Sequence, residues 1–224
     1  MLTLFRSPAF LRLWLSGVLS TTGHGIERTL TAWLALQLGA NALEIGLIFA
    51  ARMLPSLLFG LAAGTIADRV DRPRQLVVVA LVSALLTAAF GWLAATITMH
   101  VWQIVIFSFI AGCVMVFDTP ARQALVLDIV HKDAAQRALA LNALAGRLSG
   151  ALGALIAGLL IAQIGVAPSY IVAALLYGIM ALFIVTLRVP QEHRRLADPP
   201  PFQQALMDSI RMIIDLPVVR TLIG

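Results

Sequence analysis

The chain is predicted to be an all-α integral membrane protein, a bundle of six transmembrane helices, and three observations carry that prediction. Of its 224 residues, 60% are hydrophobic and 12% charged, far too apolar a balance for a water-soluble domain of this length. The apolar residues gather into six runs, near 13–38, 43–66, 75–97, 101–126, 138–163 and 168–188. Each comes close to the ~20 residues that a helix needs to cross the hydrocarbon core. Finally, thirteen of the sixteen Lys and Arg residues fall on one alternating set of connections. These are Arg6 and Arg12; Arg69, Arg72 and Arg74; Arg122, Lys132 and Arg137; and Arg188, Arg194, Arg195, Arg211 and Arg220. The other connections, near 39–43, 97–101 and 163–169, hold none. Positive charge is retained on the cytoplasmic side. A multi-pass protein of the inner membrane follows, with both termini in the cytoplasm.

The first run is too long for the apolar core of a signal peptide and contains Glu27 and Arg28, so it reads as a retained span. Short turns on the outer side, punctuated by Gly and Pro as in 39–41 and 165–168, join spans one and two, three and four, and five and six. Strand alternation of the membrane-barrel kind is absent, which leaves helices. Span four contains Cys113, the single cysteine, in an apolar stretch that suits a buried thiol and excludes a disulfide within the chain. Span five carries Gly146, Gly150, Ala154 and Gly158 at intervals of four, a small-residue stripe that allows close helix contact in lipid.

Beyond Arg188 the composition changes. Residues 189–201 are polar and end in Pro199, Pro200 and Pro201, a linker. Residues 202–216 form an amphipathic pattern, with Phe202, Leu206, Ile210 and Ile213 on one face, suited to lying along the cytoplasmic membrane surface. The organisation is therefore a bundle over 1–188, then a cytoplasmic linker, amphipathic helix and the start of a seventh hydrophobic segment over 189–224.

Several function classes fall away. A nucleic-acid partner would need a basic face on a soluble surface, whereas thirteen of the sixteen basic residues lie on the connections between membrane spans. Lys132 is the only lysine and lies outside any Walker A pattern, so ATP hydrolysis by a P-loop is excluded. Neither H-E-x-x-H nor G-x-S-x-G occurs. No enzyme, metal site or cofactor is expected.

The remaining three arginines, Arg28, Arg52 and Arg147, lie inside spans, where charge is costly and usually functional. Span one runs outward and span two inward, so Glu27 and Arg52 fall at similar depth near the midplane and should face the interior. With Arg28 and Arg147 they outline a candidate substrate and proton cavity of net positive charge. Its expected substrate is a small anionic or amphiphilic molecule, with Glu27 as proton carrier. A helix-locking Glu27–Arg52 ion pair fits the same residues. His24, one turn before Glu27, suits either a proton path or a hydrogen-bonded packing role.

The most specific local signal is 64–74, at the cytoplasmic end of span two. There Gly64, Asp68, Arg69, Asp71, Arg72, Pro73 and Arg74 crowd one tight turn, and Gly60 and Gly64 offer a close-approach surface four residues apart. This segment resembles the signature loop of the major facilitator superfamily, G-x-L-A-D-R-x-G-R followed by Arg or Lys. Gly64, Ala67, Asp68, Arg69 and Arg72 match; Asp71 replaces the second Gly, and Pro73 takes the second basic position. An acidic residue at that Gly is familiar in the drug and siderophore exporter branch. Segment 117–130 with 138–142, including Phe117, Asp118, Pro120, Arg122, Asp128 and Asn142, is similar to the helix four to five region of enterobactin-exporter-like members. The glycine stripe of span five resembles the Gly-Pro motif of facilitator exporters, with Ala154 where Pro is common; plain helix packing accounts for it equally.

The resemblance covers the whole chain but only the N-terminal half of a twelve-helix transporter, built from two inverted three-helix repeats. It implies secondary active, proton-coupled export by alternating access. Asp68 would cap a helix of the C-terminal half, and Arg72 would pair with Asp118, with Gly60, Gly64, Arg69 and Arg122 completing a conformational latch. The implied partners are the lipid bilayer and a C-terminal six-helix half or a second copy. Because a single bundle lacks the opposing wall, the chain is expected to be a fragment, a truncated product or a half transporter. An assembly protein that moves no solute is the rival expectation.

Overall fold

Caps and breakers in the sequence set the helix ends. The computed structural model describes Phe5 and residues 7–67, 70–130 and 132–187. Helix α1 (Pro8–Gln37) opens on Ser7, whose Oγ accepts from the Phe10 amide at 3.4 Å, with Pro8 in the first turn, where no N–H is needed. It ends before Gly39, whose φ of +75° turns the chain out of the helix. Helix α2 (Ala42–Ala67) starts with a reciprocal cap: the Glu44 amide donates to Asn41 Oδ1 at 3.0 Å, and the Asn41 amide to Glu44 Oε2 at 2.8 Å. Helix α3 (Arg72–Thr96) follows Asp71, with Pro73 in its first turn. At the start of α4 (Val101–Ile129) the His100 amide donates to Gln103 Oε1 at 2.8 Å. Helix α5 (Lys132–Ile164) and α6 (Val166–Val185) are separated only by Gly165, at φ +81°.

Six α-helices stand where six spans were expected, with no strand among the described residues. Most run past the apolar runs at one or both ends, because hydropathy marks only the buried length and a helix can continue into water. Five of them, all but α1, are long and apolar enough to cross a membrane. Helix α1 has 30 residues, about 45 Å of helix against a hydrocarbon core of about 30 Å, so length is not what sets it apart. Its polar residues do, and four of them are turned inward: Ser16, Ser20, Glu27 and Thr31 are buried, while Arg28 is exposed. The linker and amphipathic helix expected beyond Arg188 lie outside the described residues.

The helices do not pack in chain order. Helix α3 lies chiefly on α6, α1 on α5 and α6, and α2 on α4, while α1 and α2 hardly touch. Exchanging helices one to three for four to six leaves these neighbour relations unchanged. Contact α1–α5 becomes α4–α2, α1–α6 becomes α4–α3, and α3–α6 maps onto itself. That is the relation two three-helix repeats of inverted topology require.

Glycine sets the closest approaches, at matching places in the two repeats. A Cβ on Gly25 of α1 would stand 2.3 Å from the Gly150 carbonyl oxygen of α5, and one on Gly153 would stand 2.3 Å from that of Thr22. In the other repeat, a Cβ on Gly112 of α4 would stand 2.3 Å from the Arg52 carbonyl oxygen of α2. The stripe expected on α5 is thus half used. Gly146 and Gly150 face α1, but Gly158 has nothing within 4 Å and Ala154 is only half-buried. Residues four apart rotate by about 40° per step around a helix, so Gly158 has turned about 120° from Gly146. Gly153 and the buried Ala157 carry the contact onward instead. Gly60 and Gly64 likewise meet nothing within 4 Å, so no described helix of this bundle uses their surface.

Two apolar clusters fill the interior. One, with Phe10, Leu13, Leu76, Tyr177 and Ile184, gathers around the start of α1. The other holds Ile26, Leu30, Ile104, Phe107 and Tyr170. Within it Phe90 stacks on Phe107 with centroids 3.9 Å apart, and Tyr170 meets both rings edge-on.

Candidate functional site

Between these clusters sits a charged centre. Glu27 of α1 is 3% exposed and takes a 2.7 Å ion pair on Oε1 from Arg52 Nη1 of α2, whose side chain is 11% exposed. The other carboxylate oxygen, Oε2, accepts from Thr87 Oγ1 of α3 at 3.1 Å and from Tyr177 Oη of α6 at 3.2 Å. One carboxylate thus ties four helices together. Thr31, one turn on, donates to the Glu27 backbone carbonyl at 2.7 Å and shares a 3.2 Å bond with Tyr170 Oη. Such a centre satisfies both charges inside an apolar bundle, which is the condition for keeping them at membrane depth.

The five residues expected in the cavity do not all join it. His24 Nδ1 bonds the Ser20 carbonyl at 2.8 Å, and its ring meets Tyr177 edge-on at 5.3 Å. Among the described residues no hydrogen bond joins it to Glu27, whose carboxylate Tyr177 does reach. Arg28 is exposed but shares a small crevice with Arg52, lined also by Thr31, Phe49 and Ser108. Arg147 is exposed on α5 and lines no part of that crevice.

Near the start of α3 a second set of charges links helices. Arg72 Nη1 pairs with Asp128 Oδ2 at 2.5 Å. Arg122 holds Asp118 on its own helix by two bonds of 2.9 and 3.2 Å, and its Nη1 donates to Ser16 Oγ of α1 at 2.9 Å. Gln75 of α3 donates to the Phe117 carbonyl of α4 at 3.1 Å. The Arg72–Asp118 pair implied by the resemblance is therefore corrected: Asp118 takes Arg122, and Arg72 takes Asp128. Depth explains the exchange, since ten residues of helix put Asp118 about 15 Å deeper than Asp128. Asp68 and Arg69 lie outside the described residues.

A family model described as transmembrane secretion effector matches residues 1–222. The chain belongs to this family. It is thereby a major facilitator protein, of a family of transporters rather than enzymes. Among its curated relatives, the staphyloferrin A transporter of Staphylococcus aureus (strain NCTC 8325 / PS 47) is 27% identical over 186 residues, covering 80% of this chain and 47% of that protein. The multidrug efflux pump Tap of Mycobacterium tuberculosis (strain ATCC 25618 / H37Rv) is 25% identical, covering 97% of this chain and 53% of the pump. The chain spans about half the length of the curated relatives it matches.

Sequence reasoning missed the hydroxyl partners of Glu27. Tyr177 is one of only two tyrosines in the chain, both in the last span, and Thr87 is a polar residue deep in span three. Rarity of a polar side chain within an apolar run was the available signal. Ser108 of α4, fully buried, was missed as well.

Proposed function

We propose that this chain forms the N-terminal half of a secondary active transporter that exports small molecules, coupled to protons, by alternating access. The single observation that carries this is the buried Glu27 carboxylate, held by Arg52, Thr87 and Tyr177 where α1, α2, α3 and α6 meet. A carboxylate at this depth is the group that can take and release a proton as the bundle changes conformation, and secondary transporters bind near the midplane. One relative is named as a multidrug efflux pump, which supports export, and another as a staphyloferrin A transporter, which supports a small-molecule substrate.

In this reading both termini are cytoplasmic in the inner membrane, an orientation supported by the basic residues gathered on one alternating set of connections. A complementary six-helix half, or a second copy, covers the open Gly60 and Gly64 surface of α2. Asp68 caps a helix of that half, and the Arg72–Asp128 pair closes the cytoplasmic side between α3 and α4. Arg122 and Asp118 hold α4 to α1 beneath the centre.

The test is efflux from cells lacking their own exporters, expressing the chain alone or with a complementary six-helix half. Proton-dependent efflux that Glu27→Gln removes at equal membrane abundance is the expected result. Undiminished efflux in Glu27→Gln overturns the coupling role, and undiminished efflux in Asp68→Asn overturns the latch.

A further inference from the structure

We infer that the crevice between α1, α2 and α4 seats an anionic oxygen group, a carboxylate of the transported molecule, with Arg28 and Ser108 as its donors. This rests on the reading of the chain as a transporter of small molecules and names the substrate class.

Charge is the first argument. The crevice is lined by Arg28 and Arg52, and the nearby acid is Glu27, so two positive charges against one negative leave one in excess. Arg52 commits Nη1 to Glu27. Arg28 has no hydrogen-bond or ion-pair partner among the described residues, although it sits mid-span, where an uncompensated charge is costly. A cation is repelled here, and a purely apolar ligand leaves the guanidinium unmet.

Ser108 is the second, independent argument. It is 0% exposed on α4, it lines the same crevice, and its Oγ has no hydrogen-bond partner. A serine within a helix ordinarily satisfies its hydroxyl on a carbonyl of the preceding turn. Thr21, Thr29 and Thr31 all do so on α1, and Ser108 does not. A buried donor without an acceptor is unfavourable, and an acceptor from a ligand removes that cost. The crevice is small and walled by Phe49, Ala32 and Ile48, which suits one charged oxygen held away from water while the rest of the molecule extends past the exposed Arg28. Thr31 is not a donor to spare, being bonded to the Glu27 carbonyl and Tyr170.

The experiment is equilibrium binding to the chain in lipid nanodiscs, read by fluorescence anisotropy with carboxyfluorescein as the anionic probe and ethidium as the cationic one. Acetate and chloride serve as competitors. Carboxyfluorescein should bind and acetate should displace it. Arg28→Gln should weaken binding on the order of tenfold or more, as loss of a hydrogen bond to a charged group does. Ser108→Ala should weaken it several-fold, and Arg28→Lys should retain most of it. Displacement by chloride but not acetate overturns the proposal, as does carboxyfluorescein affinity unchanged in both Arg28→Gln and Ser108→Ala. If Arg28→Gln fails to insert, Arg28→Lys against Ser108→Ala decides. Efflux that depends on Glu27 beside binding that ignores Arg28 sinks the seat alone; intact binding without any efflux sinks the transporter reading alone.

Discussion

Replacing Glu27 by Gln and Arg52 by Met, singly and together, measures how far the central ion pair depends on both members. Glu27 is 3% exposed and the Arg52 side chain 11%, so neither charge recovers hydration when its partner is removed. The glutamine keeps the shape of the carboxylate, and its amide still offers hydrogen bonds to the Thr87 and Tyr177 hydroxyls, but it leaves the guanidinium without a counter-charge. The methionine fills much of the space of the arginine stem and leaves the carboxylate with two hydroxyl donors only. Removing one member of a buried pair costs about 3–5 kcal/mol, whereas replacing both by neutral groups of similar volume is often close to neutral. At about 2–4 °C per kcal/mol for a chain of this size, each single variant should melt about 6–20 °C lower. The double variant should be less destabilised than the two singles combined, with a coupling of at least about 2 kcal/mol. The assay is a thermal scan of the four proteins in identical nanodiscs at one scan rate, since unfolding of such proteins is commonly irreversible. Additive shifts, within about 0.5 kcal/mol, would refute the reasoning, because they would mean that each charge is compensated elsewhere.

Three further outcomes can be read by the same scan. Gly25→Ala forces α1 and α5 apart by about 1 Å and should cost about 1–3 kcal/mol, more than the helix-propensity gain of about 1 kcal/mol; Gly158→Ala, with nothing within 4 Å, should cost nothing. Equal effects would place the contact elsewhere. Thr87→Val removes one donor to the Glu27 carboxylate at nearly constant volume and should cost about 1.5–3 kcal/mol, with no change meaning that the bond is absent. Arg122→Gln strands the buried Asp118 and releases Ser16, so it should destabilise by about 3–5 kcal/mol, whereas Asp128→Asn at the more exposed Arg72 pair should cost about 1 kcal/mol. Reversal of that order would show that the two pairs had been ranked wrongly.

The spans were legible because a bilayer imposes a length and a polarity on every crossing: all six runs meet the length, and the five helices after α1 meet both. Depth was legible too. Glu27 and Arg52 were expected at one level because one span runs outward and the next returns, and their side chains meet at 2.7 Å. What a single sequence does not state is which helices become neighbours. Thr87 and Tyr177 stand out as polar residues in apolar runs, but their common partner emerges only when α3 and α6 are set beside α1. The same gap misdirected Arg72. Its partner depends on how far α4 continues past its apolar run, and the extension to Ile129 carries Asp128 to the level where α3 begins. The α5 stripe is used only in part for a geometric reason: a spacing of four is not quite a helical turn, so Gly158 drifts off the face that Gly146 and Gly150 hold against α1.

The crossed arrangement of the two repeats also sets an order of assembly during synthesis. Tyr177 follows Glu27 by 150 residues, and at about 5–20 residues per second it leaves the ribosome about 8–30 s later. Arg52 follows by only 25 residues, within about 1–5 s. The nascent first helix therefore meets its counter-charge almost at once, although its backbone partners on α5 and α6 do not yet exist. Until they arrive, its hydroxyls have the carbonyls of their own helix, as Ser16, Thr21, Thr29 and Thr31 do, and its glycine face has no α5 to meet. Among the described residues the salt bridge is thus the bond between helices whose two partners are synthesised first, and emergence of the sixth helix brings the last partner of Glu27.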